Sequence, residues 1–152
     1  MKHPRITVLM PAYNAAPYIT QAIDSILQQS FSNFEFLIID DASSDETLAI
    51  IKKYNDPRIV LVENEKNLKL SATLNKGIDL ARGEYIARMD ADDIAYPERL
   101  EKQIKILEAD SSVGMVSSWM EMIDTQGKHL GDSKWSFSPE AIYFNQHFHN
   151  VI

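Results

Sequence analysis

The chain contains no cysteine, so disulfides and thiolate metal sites are excluded. Glycine is scarce, with five among 152 residues, and none stands in a dinucleotide fingerprint or a Walker loop. The turn after the first apolar run, "MPAYNAAPY", has no glycine at all. No apolar run approaches the roughly 20 residues of a membrane span. The start, "MKHPRITVLMP", is too short in its apolar part, and too broken by proline, to read as a signal peptide. Positive charge is in deficit: the formal net charge is -7. That argues against a nucleic-acid backbone or an anionic membrane surface as the main partner. A cytoplasmic protein with no nucleic-acid partner and no transmembrane segment is expected, and peripheral association with the inner face of a membrane stays open. Apolar and charged fractions of 45% and 24% are ordinary for a globular protein, and the length suits one domain with its own core.

What is present alternates along the chain. "RITVLM" (5–10) is a short β-branched run and reads as a buried strand. Ile19, Ala22, Ile23, Ile26 and Leu27 then recur at helical spacing behind Pro17. "FEFLIID" (34–40) is a second strand, and Ser43 and Glu46 have the spacing of a capping box for a helix carrying Leu48, Ile51 and Tyr54. "RIVLVEN" (58–64) is a third strand, followed by a helix marked by Leu70, Leu74, Ile78 and Ala81 that stops at Arg82-Gly83. "EYIARM" (84–89) is a fourth strand, and Pro97 opens a fourth helix with Leu100, Ile104 and Leu107 on one face. "GMVSSWMEMID" (114–124) is strand-like, its Met115, Trp119, Met120 and Met122 read as strand core, and "DTQGKH" suggests a hairpin turn. Repeated strand–helix units imply right-handed crossovers and a mostly parallel sheet with helices on both faces.

In such sheets ligands bind beyond the carboxyl ends of the strands. Three polar clusters fall there: Tyr13 and Asn14 after the first strand, Asp40 and Asp41 after the second, and Asp90, Asp92 and Asp93 after the fourth. Closely spaced carboxylates repel one another unless a cation neutralises them, and oxygen ligands select hard ions such as Mg²⁺ or Mn²⁺. Such an ion can hold an anionic phosphate compound in an acidic site. An EF-hand does not fit, because Ile94 and Ala95 occupy positions that need an oxygen ligand and the turn glycine. Tyr13 offers a flat ring to a nucleobase, and Asp41 could accept from a base N–H or a ribose hydroxyl; a core tyrosine and a helix cap are the plainer alternatives. Lys76 is expected on a solvated helix face. His147 and His149 form an H-x-H with no third ligand nearby.

Taken together, "ITVLMPAYNAAPYITQAIDSILQQSF", "FEFLIIDDASSDET" and "LNKGIDLARGEYIARMDADDIAYPERL" strongly resemble the inverting, nucleotide-sugar-dependent glycosyltransferases of family 2. The resemblance spans residues 4 to 110 and implies the GT-A fold, a Rossmann-like three-layer α/β/α arrangement with a mostly parallel sheet, here a single domain over 1–152. It implies that Pro11, Ala12 and Tyr13 lie along the nucleobase and ribose, and that Asp41 hydrogen-bonds the base, usually uracil. "DADD" corresponds to the D-x-D-type motif: Asp92 meets the ribose or sugar and the metal, Asp93 coordinates Mn²⁺ or Mg²⁺ on the diphosphate, and Asp90 helps shape the site. Lys69 stands where many relatives have glycine, and could either reach the diphosphate or project into solvent. The implied partners are a nucleotide-sugar donor, a UDP-sugar above all, and a saccharide or lipid-linked acceptor of cell-envelope polysaccharide biosynthesis. In the family the catalytic base lies further along the chain, and neither Asp132 nor Glu140 reads as one. The base is therefore expected beyond Ile152, and the chain is expected to be the donor-binding part of a longer transferase, truncated before its acceptor segment and poorly active alone. A non-catalytic nucleotide-binding module is the alternative. A phosphorelay receiver would need an acidic pair where this chain has Tyr13 and Asn14.

Overall fold

The computed structural model describes residues 3–133. The chain divides into two compact units, Met1–Ser111 and Ser112–Ile152. The first carries β1 (Ile6–Ala12), α1 (Ile19–Leu27), β2 (Phe34–Asp40), α2 (Thr47–Ile51), β3 (Ile59–Glu63), α3 (Leu70–Leu80), β4 (Tyr85–Arg88) and α4 (Arg99–Ala109). Its four strands pair in parallel in the order β3-β2-β1-β4. The order places β1 and β2 at the centre, which explains their composition: every residue of β2 is buried, and so are six of seven in β1.

The pleat sends alternate side chains to opposite faces. Ile6, Val8 and Met10 join Phe34, Phe36 and Ile38 on one face, where Ile19, Ala22, Ile23 and Ile26 of α1, Ile51 of α2, and Leu100 and Ile104 of α4 cover them. Burying each such isoleucine or leucine stabilises the fold by roughly 1.5–3 kcal/mol. The opposite face holds a smaller cluster of Leu9, Leu37 and Ile39, with Val60, Val62 and Leu74 against it. Here α3 comes very close: a Cβ on Gly77 would lie 2.3 Å from Leu9 Cδ1.

Several expectations need correction. The Ser43–Glu46 capping box does not form: α2 has no side-chain cap. Ser43 Oγ instead accepts from Asn14 N–H, and Asp45 Oδ1 accepts from Thr47 N–H. On α3 the expected apolar stripe is only partly used; Thr73 and Gly77 are its buried residues, while Leu70 and Ile78 are exposed. Close packing on Leu9 demands a small residue at Gly77; Leu74 still packs against the Leu9 cluster, while Leu70 and Ile78 face away. Lys76 is not simply solvated, since its Nζ donates to Asn64 Oδ1 at 2.6 Å.

In the second unit, β5 (Met120–Ile123) and β6 (His129–Ser133) form an antiparallel hairpin. Its turn is the expected one: Asp124 Oδ1 accepts from the N–H groups of Gln126 and Lys128, and Gly127 supplies φ +79. Residues 114–119 are not strand. Met115, Trp119, Met120 and Met122 are exposed and not the strand core expected; a two-stranded ribbon has no covered face of its own to bury them. His147, His149 and Glu140 lie outside the described residues.

Candidate functional site

The site is built at the carboxyl edge of the parallel sheet. The turns after β1 and β2 are laced together there. Asn14 N–H donates to Ser43 Oγ, Ser44 N–H to Asn14 Oδ1, Ala15 N–H to Thr47 Oγ1, and Ala16 N–H to Asp45 Oδ2. These bonds satisfy the amides of the turn that leads into α1, which lacks a side-chain cap of its own; Tyr18 and Ile19 N–H at its start donate to the Ala15 carbonyl. Backbone strain collects at the same edge. Asn14, Ala42 and Lys69 all have positive φ without being glycine, and Lys69 at φ 71, ψ 162 lies in a region that glycine alone adopts easily. Asp40 Oδ1, also at this edge, is buried and unpartnered among the described residues. Strain and an unsatisfied oxygen at one edge are what a ligand site leaves when the fold over-determines it.

A cleft of about 270 Å³ opens here, and Pro11, Tyr13, Asn14, Tyr18, Leu70, Arg88, Asp90 and Asp92 are among its lining. The structure therefore brings Pro11 and Tyr13 from the end of β1 together with Asp90 and Asp92 from the end of β4. Tyr13 is 50% exposed, so its ring is available as a platform and is not a core residue. Four other expected residues are not in the lining. Ala12 is buried, Asp93 sits just beyond Asp92 in the chain, and Asp41 and Lys69 are joined to each other by a hydrogen bond outside the lining.

Asp41 is the best-satisfied carboxylate of this edge. Its Oδ1 accepts from Asn64 Nδ2 at 2.7 Å and Leu68 N–H at 2.8 Å, and Oδ2 accepts from Lys69 N–H at 2.9 Å. Burial alone would push its carboxyl up, but the bonds from Leu68, Asn64, Thr73 and Lys69 outweigh it and hold it below the usual range. Asp41 thus pins the loop between β3 and α3, and with it the strained Lys69 backbone. That role could not be read from "IDDAS", because the partners come from residues 64–69.

The aspartates after β4 behave in the opposite way. Loss of hydration, then the charges of Asp90 and Asp92, push the Asp93 carboxyl above its ordinary range; Arg99 and Arg88 pull the other way. Arg88 forks onto Asp90, with Nε 3.1 Å from Oδ1 and Nη2 2.9 Å from Oδ2. Arg99 lies beneath, donating to the Arg88 carbonyl at 2.7 Å and to Met89 Sδ. Asp90, Asp92 and Asp93 are crowded and all-oxygen, the donor chemistry that hard divalent ions take, but among the described residues the one set of three that brings its ligand atoms within 4.8 Å of one another lies in the hairpin unit. Tyr18, Arg88 and Arg99 were missed from the sequence. Arg88 precedes Asp90 by two residues, a spacing that places both at the strand end, and was the signal available.

A second donor set lies in the hairpin unit. One ligand atom from each of Glu121, His129 and Asp132 falls within 4.8 Å of the others, and all three residues are exposed. Glu121 and Asp132 face each other across the ladder, and His129 Nε2 is 2.7 Å from Asp132 Oδ1.

An uncharacterized glycosyltransferase of Methanocaldococcus jannaschii is 39% identical over 150 residues, covering 96% of this chain and 50% of that protein. The chain spans about half the length of the curated relatives it matches. The Pyrobaculum calidifontis mannosyltransferase PcManGT, solved with GDP-Man and Mn²⁺, superimposes with a TM-score of 0.67 and 33% identity over 75% of this chain and 35% of that one. Residues 1–349 of S. aureus TarS, solved with UDP-GlcNAc, give a TM-score of 0.65 and 30% identity over 69% and 31%. The GT-A fold implied by the resemblance is borne out by these neighbours. Among the described residues no helix is long and apolar enough to cross a membrane. The family model for glycosyl transferase family 2 matches residues 7–151, and the chain belongs to that family.

Proposed function

We propose that the chain is the donor-binding part of a metal-dependent, inverting glycosyltransferase that uses a nucleoside-diphosphate sugar, with UDP the first nucleotide to try. The observation that carries this reading is the meeting of Tyr13 and the Asp90–Asp92 pair in one cleft at the carboxyl edge of a parallel sheet. Tyr13, beside Pro11, gives a base and ribose a flat, half-exposed surface. Asp41 orders the loop behind the base, and a base N–H would reach its carboxylate by taking the place of one of the donors it now holds. Asp92 and Asp93 would hold Mn²⁺ or Mg²⁺, with Asp90 completing the acidic rim. The ion would serve as a Lewis acid for the charge growing on the departing diphosphate.

Inversion follows if an acceptor hydroxyl attacks the anomeric carbon opposite the leaving diphosphate while a carboxylate takes its proton. The acceptor we have in view is a saccharide or lipid-linked saccharide of the cell envelope. A peripheral position at the inner face of the membrane suits such an acceptor.

Titration calorimetry of UDP and of GDP into this chain, with Mn²⁺ and then with EDTA, tests the reading, with Asp93→Ala as control. Binding of one of them that needs Mn²⁺ and disappears in Asp93→Ala is expected. If neither nucleotide binds in the presence of Mn²⁺, the reading is wrong for this chain.

A further inference from the structure

Resting on the donor-site reading above, we infer that Arg88 is a donor-binding residue which exchanges Asp90 for the diphosphate when metal and nucleotide arrive. Three features of its placement lead there. Arg88 closes β4 and lines the cleft with Tyr13, Asp90 and Asp92. Its fork onto Asp90 uses two of its five donors, and the remaining N–H groups have no partner among the described residues. The pair is also accessible, with side-chain exposures of 44% and 40%. Exposed pairs of this kind contribute at most about 1 kcal/mol, so an incoming ion or phosphate displaces one at little cost. Arg99 cannot do the same. It is partly buried, and both of its terminal nitrogens are held, by the Arg88 carbonyl and by Met89.

Charge gives the exchange its direction. Asp90, Asp92 and Asp93 against Arg88 and Arg99 leave one net negative charge. A divalent ion turns that to one net positive charge, which an anionic diphosphate complements. Guanidinium binds phosphate oxygens bidentately, as it now binds Asp90. Arg88 therefore opposes the ion before the nucleotide comes, and supports the nucleotide once the ion is in place. Its two effects have opposite signs, which a purely structural arginine would not produce.

The test is calorimetric titration of the whole chain with Mn²⁺ alone, and with UDP or GDP in Mn²⁺, for the wild type, Arg88→Ala and Arg88→Lys. Melting temperatures check folding. In Arg88→Ala, Mn²⁺ alone should bind several-fold tighter and the nucleotide about tenfold weaker, the scale of one lost charged hydrogen bond. Arg88→Lys should keep the wild-type metal affinity, having kept the charge, and recover only part of the nucleotide affinity. Asp90→Asn gives a second view: it should weaken Mn²⁺ binding while leaving nucleotide affinity at saturating Mn²⁺ unchanged or stronger. If the wild type binds nucleotide and Arg88→Ala shifts both affinities the same way, or neither, the exchange is wrong while the donor site stands. If the wild type binds no nucleotide at all, the donor site fails and Arg88 loses its role with it.

Discussion

The knot around Glu35 at the amino edge of the parallel sheet and the aspartates after β4 at its carboxyl edge treat acidic groups in opposite ways. At the amino edge, Glu35 is buried in β2 and fully answered. Thr7 Oγ1, opposite it in the ladder, donates at 2.6 Å, and Arg82 donates from both its N–H and its Nε at 2.6 Å. Gly83 N–H completes the knot by donating to Thr7 Oγ1, and a Cβ on Gly83 would lie 2.3 Å from Thr7 N. Burial alone would raise the Glu35 carboxyl, yet the bonds from Thr7 and Arg82 hold it below its usual range. At the carboxyl edge, Asp93 is pushed up by lost hydration and by its acidic neighbours. A carboxylate that serves the fold is given its donors by the fold. One that awaits a ligand is left short of them, and the cost appears as repulsion.

Breaking the satisfied edge should have the largest effect. Glu35→Ala strands the Thr7 hydroxyl and the amide of Arg82, and should cost about 2–4 kcal/mol in urea denaturation, more than any single charge change at the other edge. The pH dependence has a definite sign. The folded pKa of Glu35 lies below its unfolded value, so its stabilisation is fully present above the unfolded pKa, about 4.3, and is lost as pH falls through the folded one. Acid denaturation of the wild type and of Glu35→Gln should diverge most above that pH and converge below it. Curves that stay parallel would remove the contrast.

Relieving strain at the carboxyl edge should have a smaller effect of opposite sign. Lys69→Gly places the residue suited to φ 71, ψ 162 at the start of α3. It should stabilise the chain by about 1 kcal/mol, the lower end of what such a backbone conformation stores. A melting temperature that falls instead would show that the Lys69 side chain contributes more than its backbone costs.

The smallest change sharpens the comparison most. Asp93→Asn removes a charge whose folded pKa lies above its unfolded one. At neutral pH in EDTA the variant should melt slightly higher, by a few tenths of a kcal/mol after solvent screening. That difference should shrink as pH falls through the folded pKa, where Asp93 itself becomes neutral. Adding Mn²⁺ should stabilise the wild type and leave Asp93→Asn unmoved. A variant less stable than the wild type in EDTA would place Asp93 with Glu35 among the fold's own carboxylates.

The sequence determined the alternation of elements, because apolar runs of strand length and helical spacing each have their own period. β2 lies where "FEFLIID" places it. It also located the acidic site: short polar segments at strand ends can only face the carboxyl edge of a parallel sheet. Only the tertiary structure decided what each charge does there. Asp41 and the aspartates after β4 look alike as letters, yet one is saturated by residues 64–69 and the others are opposed by Arg88 and Arg99. The buried Thr7–Glu35–Arg82 knot and the exposed stripe of α3 were likewise invisible, since both depend on which residues come within about 3 Å across the fold. Periodicity is a local property of the chain, whereas satisfaction of a charge is set by partners far away in sequence.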